Sequence, residues 1–164
     1  MQTLEVGPAV EVDMREGMRR LASGVCVISS VDQQQQPFAM TATSVTSVSD
    51  TPPSLLVCVN KQASIHSAIS ASGRFCVNLL SRQQEDISNR CSGGEEGIGR
   101  FAVGNWNTSA ELPYLQDCLA VFTCKTEQQM DYGTHRIFIA RIEKVAVPTD
   151  AIIEPLIYLN GGYR

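Results

Sequence analysis

Hydroxyls and small side chains alternate through residues 41–47, as Thr41, Ala42, Thr43, Ser44, Val45, Thr46 and Ser47. Threonine and valine favour extended chain, but so many hydroxyls with so few large side chains make a poor hydrophobic face. Such a strand suits a flat polar ligand needing close backbone approach and short hydrogen-bond partners. A solvent-facing strand that uses threonine for its propensity explains the same residues, and composition alone leaves both readings open. After the turn at Pro52 and Pro53 and an apolar run over residues 55–59, Asn60, Lys61, Ser64 and His66 gather about a predicted helix start. Free N–H groups and the macrodipole there favour an anion. Lys61 would add a point charge and Ser64 a hydroxyl, although Ser64 is equally an ordinary N-cap and His66 equally a surface residue. A planar ring on the strand and a phosphate at the helix start would be held together.

Two further groups carry chemistry. Arg100 and Phe101 close a glycine-rich stretch, where a cation could meet phosphate and a ring could stack; a surface loop anchored by Phe101 and Trp106 accounts for them equally well. His135 follows Tyr132, Gly133 and Thr134 at the start of a predicted strand, and Gly133 would allow close backbone approach or a positive φ. Tyr163, beside the terminal Arg164, is a weaker candidate of the same kind. No Gly-x-Ser-x-Gly is present, and neither of the two histidines has the cysteine spacing of a zinc site. Nucleophilic and metal chemistry therefore find no support in the sequence.

The elements that must position these residues are short. Residues 1–12 read as a loose arm, and residues 13–164 as one domain. Asp13 with Glu16 marks a helix start, and Met14, Met18 and Leu21 form a stripe at helical spacing. Strands are expected over 25–30, 38–48, 55–59, 74–80, 119–126, 136–147 and 152–159. A helix is expected over 64–71, with Ile65, Ala68 and Ile69 on one face and Gly73 as its stop. Residues 82–91 read as a polar surface helix and 92–104 as a mobile loop. Many short strands without a βαβ rhythm give a mainly β, antiparallel barrel or sandwich. No Gly-x-Gly-x-x-Gly follows a strand, which argues against a Rossmann site.

The 164 residues suffice for one substantial core. A hydrophobic fraction of 43%, a charged fraction of 18% and a net charge of −4 describe an ordinary globular chain without the basic stripe that nucleic acid requires. No apolar run could span a bilayer, and the first residues lack a secretory pattern. The cytoplasm is the default expectation. Four of the six cysteines, Cys26, Cys58, Cys76 and Cys124, lie inside apolar strand-like runs and read as buried free thiols rather than disulfides.

The segment TATSVTSVSDTPPSLLVCVN, residues 41–60, resembles the short-chain flavin reductases, the reductase components of two-component flavin monooxygenases such as 4-hydroxyphenylacetate 3-monooxygenase. The likeness runs from about residue 14 to 163. It implies an FMN-binding split β-barrel with a few short flanking helices, usually a homodimer. It further implies hydride transfer from NADH or NADPH to FMN or FAD, with reduced flavin passed to a partner flavin-dependent monooxygenase. Under it, the backbone of residues 43–47 would meet the flavin's pyrimidine edge, and residues 60–66 its phosphate. His135, in the place of the family's Gly-x-His, would touch flavin and nicotinamide nucleotide. Thr134 stands where relatives often carry Asp, so no carboxylate is available to orient that ring. Reduction of another acceptor (a corrinoid or a ferric complex) and non-catalytic flavin binding are the alternatives.

Overall fold

The computed structural model describes residues 7–150 and 152–164. Residues 1–6 of the expected arm lie outside the described residues, and residues 7–12 are exposed and without regular structure. In chain order the strands are β1 (Ser23–Gly24), β2 (Cys26–Val31), β3 (Pro37–Ala42), β4 (Val45–Asp50), β5 (Pro53–Asn60), β6 (Arg74–Leu79), β7 (Trp106–Asn107), β8 (Tyr114–Leu115), β9 (Ala120–Tyr132), β10 (His135–Ala146), β11 (Ile157–Leu159) and β12 (Gly162–Tyr163). The α-helices are α1 (Met14–Met18), α2 (Ser64–Ser72) and α3 (Glu85–Ser92).

Seven strands form one antiparallel sheet in the order β3-β2-β6-β9-β10-β5-β4. Its two edge strands, β3 and β4, are consecutive in the chain and separated only by Thr43 and Ser44. The sheet must therefore curl until its edges meet. Register shifts in β10 and β4 supply local bends of the kind that help a sheet curve. The barrel is closed at this seam by covalent chain rather than by a hydrogen-bonded ladder. The expected single polar strand over 38–48 is thus two strands, because the chain leaves β2 at Ala42 and joins β5 from Val45.

β2 is buried along its whole length. One face joins a cluster with Val57, Val59, Phe75, Phe138 and Ile65 inside the barrel. The other joins Leu80, Ile87, Leu115 and Leu156 beneath α3 and the segment after it. Helix α2 presents Ile65, Ala68 and Ile69 inward and ends at Gly73, whose φ of 67° suits glycine and whose N–H bonds the Ile69 carbonyl at 2.8 Å.

Several expectations need correction. Helix α1 is capped by Asp13 as expected, yet Met14, Met18 and Leu21 remain 75%, 54% and 58% exposed, so this stripe packs on nothing substantial. Residues 82–91 are not a wholly surface helix, since Ile87, Ser88 and Cys91 are buried. The glycine-rich segment is not simply loose: Gly97–Phe101 forms a 3-10 turn against β3. β9 runs beyond residue 126 because it pairs with β10 as far as Tyr132. Only Ile157–Leu159 of residues 152–159 is a strand; before it, Pro155 bridges to Ser81 and Leu156 is buried in the core.

All six cysteines are free thiols, and five are buried. Burial pushes Cys26 and Cys124 up to about 12, and Cys76, Cys91 and Cys118 up to about 11, from an ordinary 9.0. Thiol alkylation of the folded protein near neutral pH is expected to mark Cys58, which is half-buried, well before the other five. Peptide mass mapping checks this, and early labelling of Cys26 or Cys124 would contradict the packing. The five buried thiols favour the folded state fully below pH 9.0, and that contribution falls as pH rises towards 11 and 12.

Candidate functional site

A cavity of about 560 Å³ opens beside the seam. Met40, Thr41, Ala42 and Thr43 form its strand wall, and Ala63 and Ser64 its helix wall at the start of α2. Cys91, Ser92 and Arg100 form a third side, and Tyr158 and Tyr163 a fourth. A second cavity, of about 660 Å³, lies across Thr43 at the mouth of the barrel, lined by Ser44, Val45, Thr46, Leu56, Phe122 and the exposed end of α1, among others. Thr43 is common to both.

The donors facing the first cavity are left over from folding. Thr43 lies between β3 and β4, and its N–H has no backbone partner among the described residues. Ala63 is the N-cap of α2 and offers no side-chain acceptor, so the N–H groups of Ser64 and Ile65 are likewise without backbone partners. Arg100 donates through Nε to the Glu95 carbonyl at 2.7 Å and through Nη1 to the Ala39 carbonyl at 2.6 Å. Among the described residues it meets no carboxylate. A fixed guanidinium, a helix N-terminus without a side-chain cap and an unpaired strand N–H suit a ligand with an anionic group and a hydrogen-bonding ring edge.

Not every hydroxyl of the polar segment is available to a ligand. Thr41 donates to the Ser88 carbonyl at 2.6 Å, and Ser44 to the Cys58 carbonyl at 2.9 Å, the latter holding the start of β4 against β5. Ser88 in turn shares a hydrogen bond of 2.7 Å with the Tyr163 hydroxyl. The strand wall, α3 and the C-terminal strand are therefore tied together beneath the cavity.

The flavin reductase like domain model matches residues 18–164. The chain belongs to the flavin reductase family. This flavin reductase domain is 36% identical over 158 residues to an FMN reductase (NADH) RutF of Stutzerimonas stutzeri, covering 96% of this chain and 89% of that protein. Its structure is similar to that of the NADH:FAD oxidoreductase SgcE6 of Streptomyces globisporus, with a TM-score of 0.86 at 26% identity over 96% of this chain and 98% of that one. It is also similar to the styrene monooxygenase flavin reductase of Pseudomonas putida, with a TM-score of 0.82 at 27% identity over 93% and 96% of the two chains. A Sinorhizobium meliloti chain is matched at a TM-score of 0.83 and 34% identity; this domain spans 92% of its own length and 51% of that protein.

Of the expected site residues of this flavin reductase, Thr41, Ala42, Thr43, Ser64, Arg100 and Tyr163 share the first cavity. Ser44, Val45 and Thr46 face the second. Ser47 lines neither and is exposed on β4. Asn60 and Lys61 are exposed at the end of β5 outside both cavities, with Asn60 Oδ1 accepting the Gln62 N–H at 2.9 Å. The cation that the structure places in the cavity is Arg100, not Lys61. Phe101 is taken up by Trp106, ring centroids 4.8 Å apart. His66 packs towards Phe138, and burial, then Arg136, lower its pKa against the opposing pull of Asp131. Tyr158, like Met40, Ala63, Cys91 and Ser92, is a wall residue that the sequence reading missed; an exposed tyrosine in a short strand carries no local signal of its role.

Gly133 lies in the β9–β10 turn and His135 begins β10; neither lines a cavity described above. The imidazole does have an orienting partner: Nδ1 lies 2.8 Å from the Thr134 hydroxyl, which stands in for the missing carboxylate. His135→Ala is expected to leave flavin affinity unchanged, with any effect confined to the KM for NADH. Titration with FMN alongside steady-state kinetics checks this, and a lost flavin affinity would move His135 into the flavin site.

Proposed function

We propose that the chain is an NADH-dependent flavin reductase that accepts FMN at the first cavity and releases reduced flavin to a separate oxygenase. The observation that carries this reading is the convergence of the Thr43 N–H, the uncapped start of α2 and Arg100 on one cavity. The residues fit a flavin nucleotide. Arg100 and the first N–H groups of α2 would hold its phosphate, and the Thr43 N–H a carbonyl or nitrogen of its pyrimidine edge. When bound, the flavin supplies a ring that takes up hydride from the nicotinamide.

What the chain itself contributes is position and polarity. The Thr43 N–H, unpaired at the cavity wall, would stabilise negative charge on the pyrimidine edge of a bound flavin without a general acid. Tyr163, through Ser88, holds the strand that carries that donor. Cys91 lines the cavity as a neutral thiol, since burial raises its pKa to about 11. FMN and NADH are favoured by the relative named FMN reductase (NADH); the similar NADH:FAD oxidoreductase keeps FAD in view as a second acceptor.

Val145, Val147, Ile152 and Ile153 leave exposed apolar surface that a second copy would cover, which supports a homodimer. Free thiols throughout suit a reducing compartment such as the cytoplasm. Among the described residues no helix is long and apolar enough to cross a membrane.

The deciding experiment is anaerobic. Mixing the protein with NADH and FMN, without added metal, should bleach flavin absorbance at catalytic protein concentration. Failure with FMN, FAD and riboflavin alike would sink the reading, and turnover only with a ferric or corrinoid acceptor would replace it.

A further inference from the structure

The C-terminal hairpin ends the chain as a wall of the cavity, and its construction differs from that of the other walls. β11 lies between β1 and β12, with Tyr158 paired to Ser23 on one side and to Tyr163 on the other. Asn160 and Gly161 turn the chain with φ of 53° and 76°. Ile157 and Arg164 exchange backbone hydrogen bonds of 3.2 and 2.8 Å, and the Asn160 N–H reaches the Arg19 carbonyl at 2.7 Å. The hairpin's backbone is thus largely satisfied internally and offers the cavity few directed donors.

What it offers instead is a π-surface. Tyr158 remains 39% exposed while lining the cavity, and its ring meets Tyr163 edge-on with centroids 5.6 Å apart. Tyr163 is immobilised by the 2.7 Å bond to buried Ser88. The anchored Tyr163 ring braces Tyr158, whose remaining exposed area opens to the cavity at little further entropic cost. The isoalloxazine edge requires hydrogen-bond partners, which stand on the Thr41–Thr43 wall. A wall that presents stacking area and few directed donors suits a ring bound through its face.

We propose that Tyr158, braced by Tyr163, is the stacking platform for an adenine ring in this cavity, a subsite separate from that of the isoalloxazine. The inference deepens the flavin reductase reading and rests on it for its occupant: the adenine is that of NADH or of FAD.

The test uses the full chain with Tyr158→Ala and Tyr158→Phe. AMP is titrated by ligand-observed NMR without flavin or NADH, a readout that needs no turnover. Wild type and Tyr158→Phe are expected to bind AMP alike, and Tyr158→Ala at least about fivefold more weakly. Circular dichroism confirms that each variant is folded. A rise in KM for NADH, measured with riboflavin as acceptor, assigns the adenine to NADH. A fall in affinity for FAD with FMN unchanged assigns it to FAD. Equal AMP binding by wild type and Tyr158→Ala overturns the platform, as does a loss shared equally by riboflavin and FMN, which would place the isoalloxazine there. If the protein binds AMP through Tyr158 but reduces no flavin, the reductase reading fails while the platform stands.

Discussion

Arg100→Glu is expected to remove FMN binding almost entirely while leaving riboflavin binding close to that of wild type. Arg100 is the cation of the cavity wall, and among the described residues its guanidinium donates to carbonyl oxygens and meets no carboxylate, so reversing its charge would set a carboxylate against the ligand's phosphate. Loss of a hydrogen bond to a charged group costs about 1.5–3 kcal/mol, which is roughly tenfold to over a hundredfold in affinity, and repulsion adds to it. Arg100→Lys should fall between, keeping charge without the planar fork. The riboflavin arm is essential because Arg100 also ties its segment to β3 through the Ala39 carbonyl. Equal loss of FMN and riboflavin would mean that Arg100 acts by holding the wall and that the phosphate lies elsewhere.

Gly104→Ala should be among the most destabilising small substitutions in the chain. Gly104 has a φ of 99°, and a Cβ there would stand 2.9 Å from Ile87 Cδ1, 3.0 Å from Leu115 Cδ2 and 3.2 Å from Trp106 Nε1. Backbone strain of about 1–3 kcal/mol is thus joined by overpacking of about 1–3 kcal/mol. Gly133→Ala provides the comparison, since its φ of 54° carries strain but its Cβ would meet nothing within 4 Å. Urea midpoints should drop clearly more for Gly104→Ala. Matching midpoints for the two variants would show that the packing around Ile87 and Leu115 yields easily.

Much of this fold was legible because local and long-range preferences agree. Ile65, Ala68 and Ile69 with Gly73 marked α2 almost to the residue, and the cysteine-bearing apolar runs proved to be buried strands. The seam was not legible. Thr43 and Ser44 have the same composition as their neighbours, and only pairing with two different strands divides β3 from β4. The site was read in part for a related reason. Thr41, Thr43 and Ser64 announce themselves by type and position, whereas Lys61 and Arg100 are both cations near glycines or helix starts. Which of them enters the cavity depends on how the segment after α3 packs on β3, a contact between residues 61 positions apart. Tyr158 depended on a hairpin of three-residue and two-residue strands, too short to show a period.

The covalent seam gives the ligand a mechanical part as well as a chemical one. Every interior strand of the large sheet is latched on both sides, while the chain crossing from β3 to β4 is fastened chiefly at its ends. On the binding mode proposed above, a nucleotide engaging the Thr43 amide and bridging to α2 and Arg100 would act as a removable stave across that gap. Its occupancy then adds to the folding equilibrium, by about 2.7 kcal/mol at a hundredfold excess over Kd, and amide exchange at Thr43 should slow with it. A reductase that surrenders its flavin gives up this support at each turnover. The two apolar clusters on either side of β2 must therefore keep the empty barrel standing until the next flavin arrives.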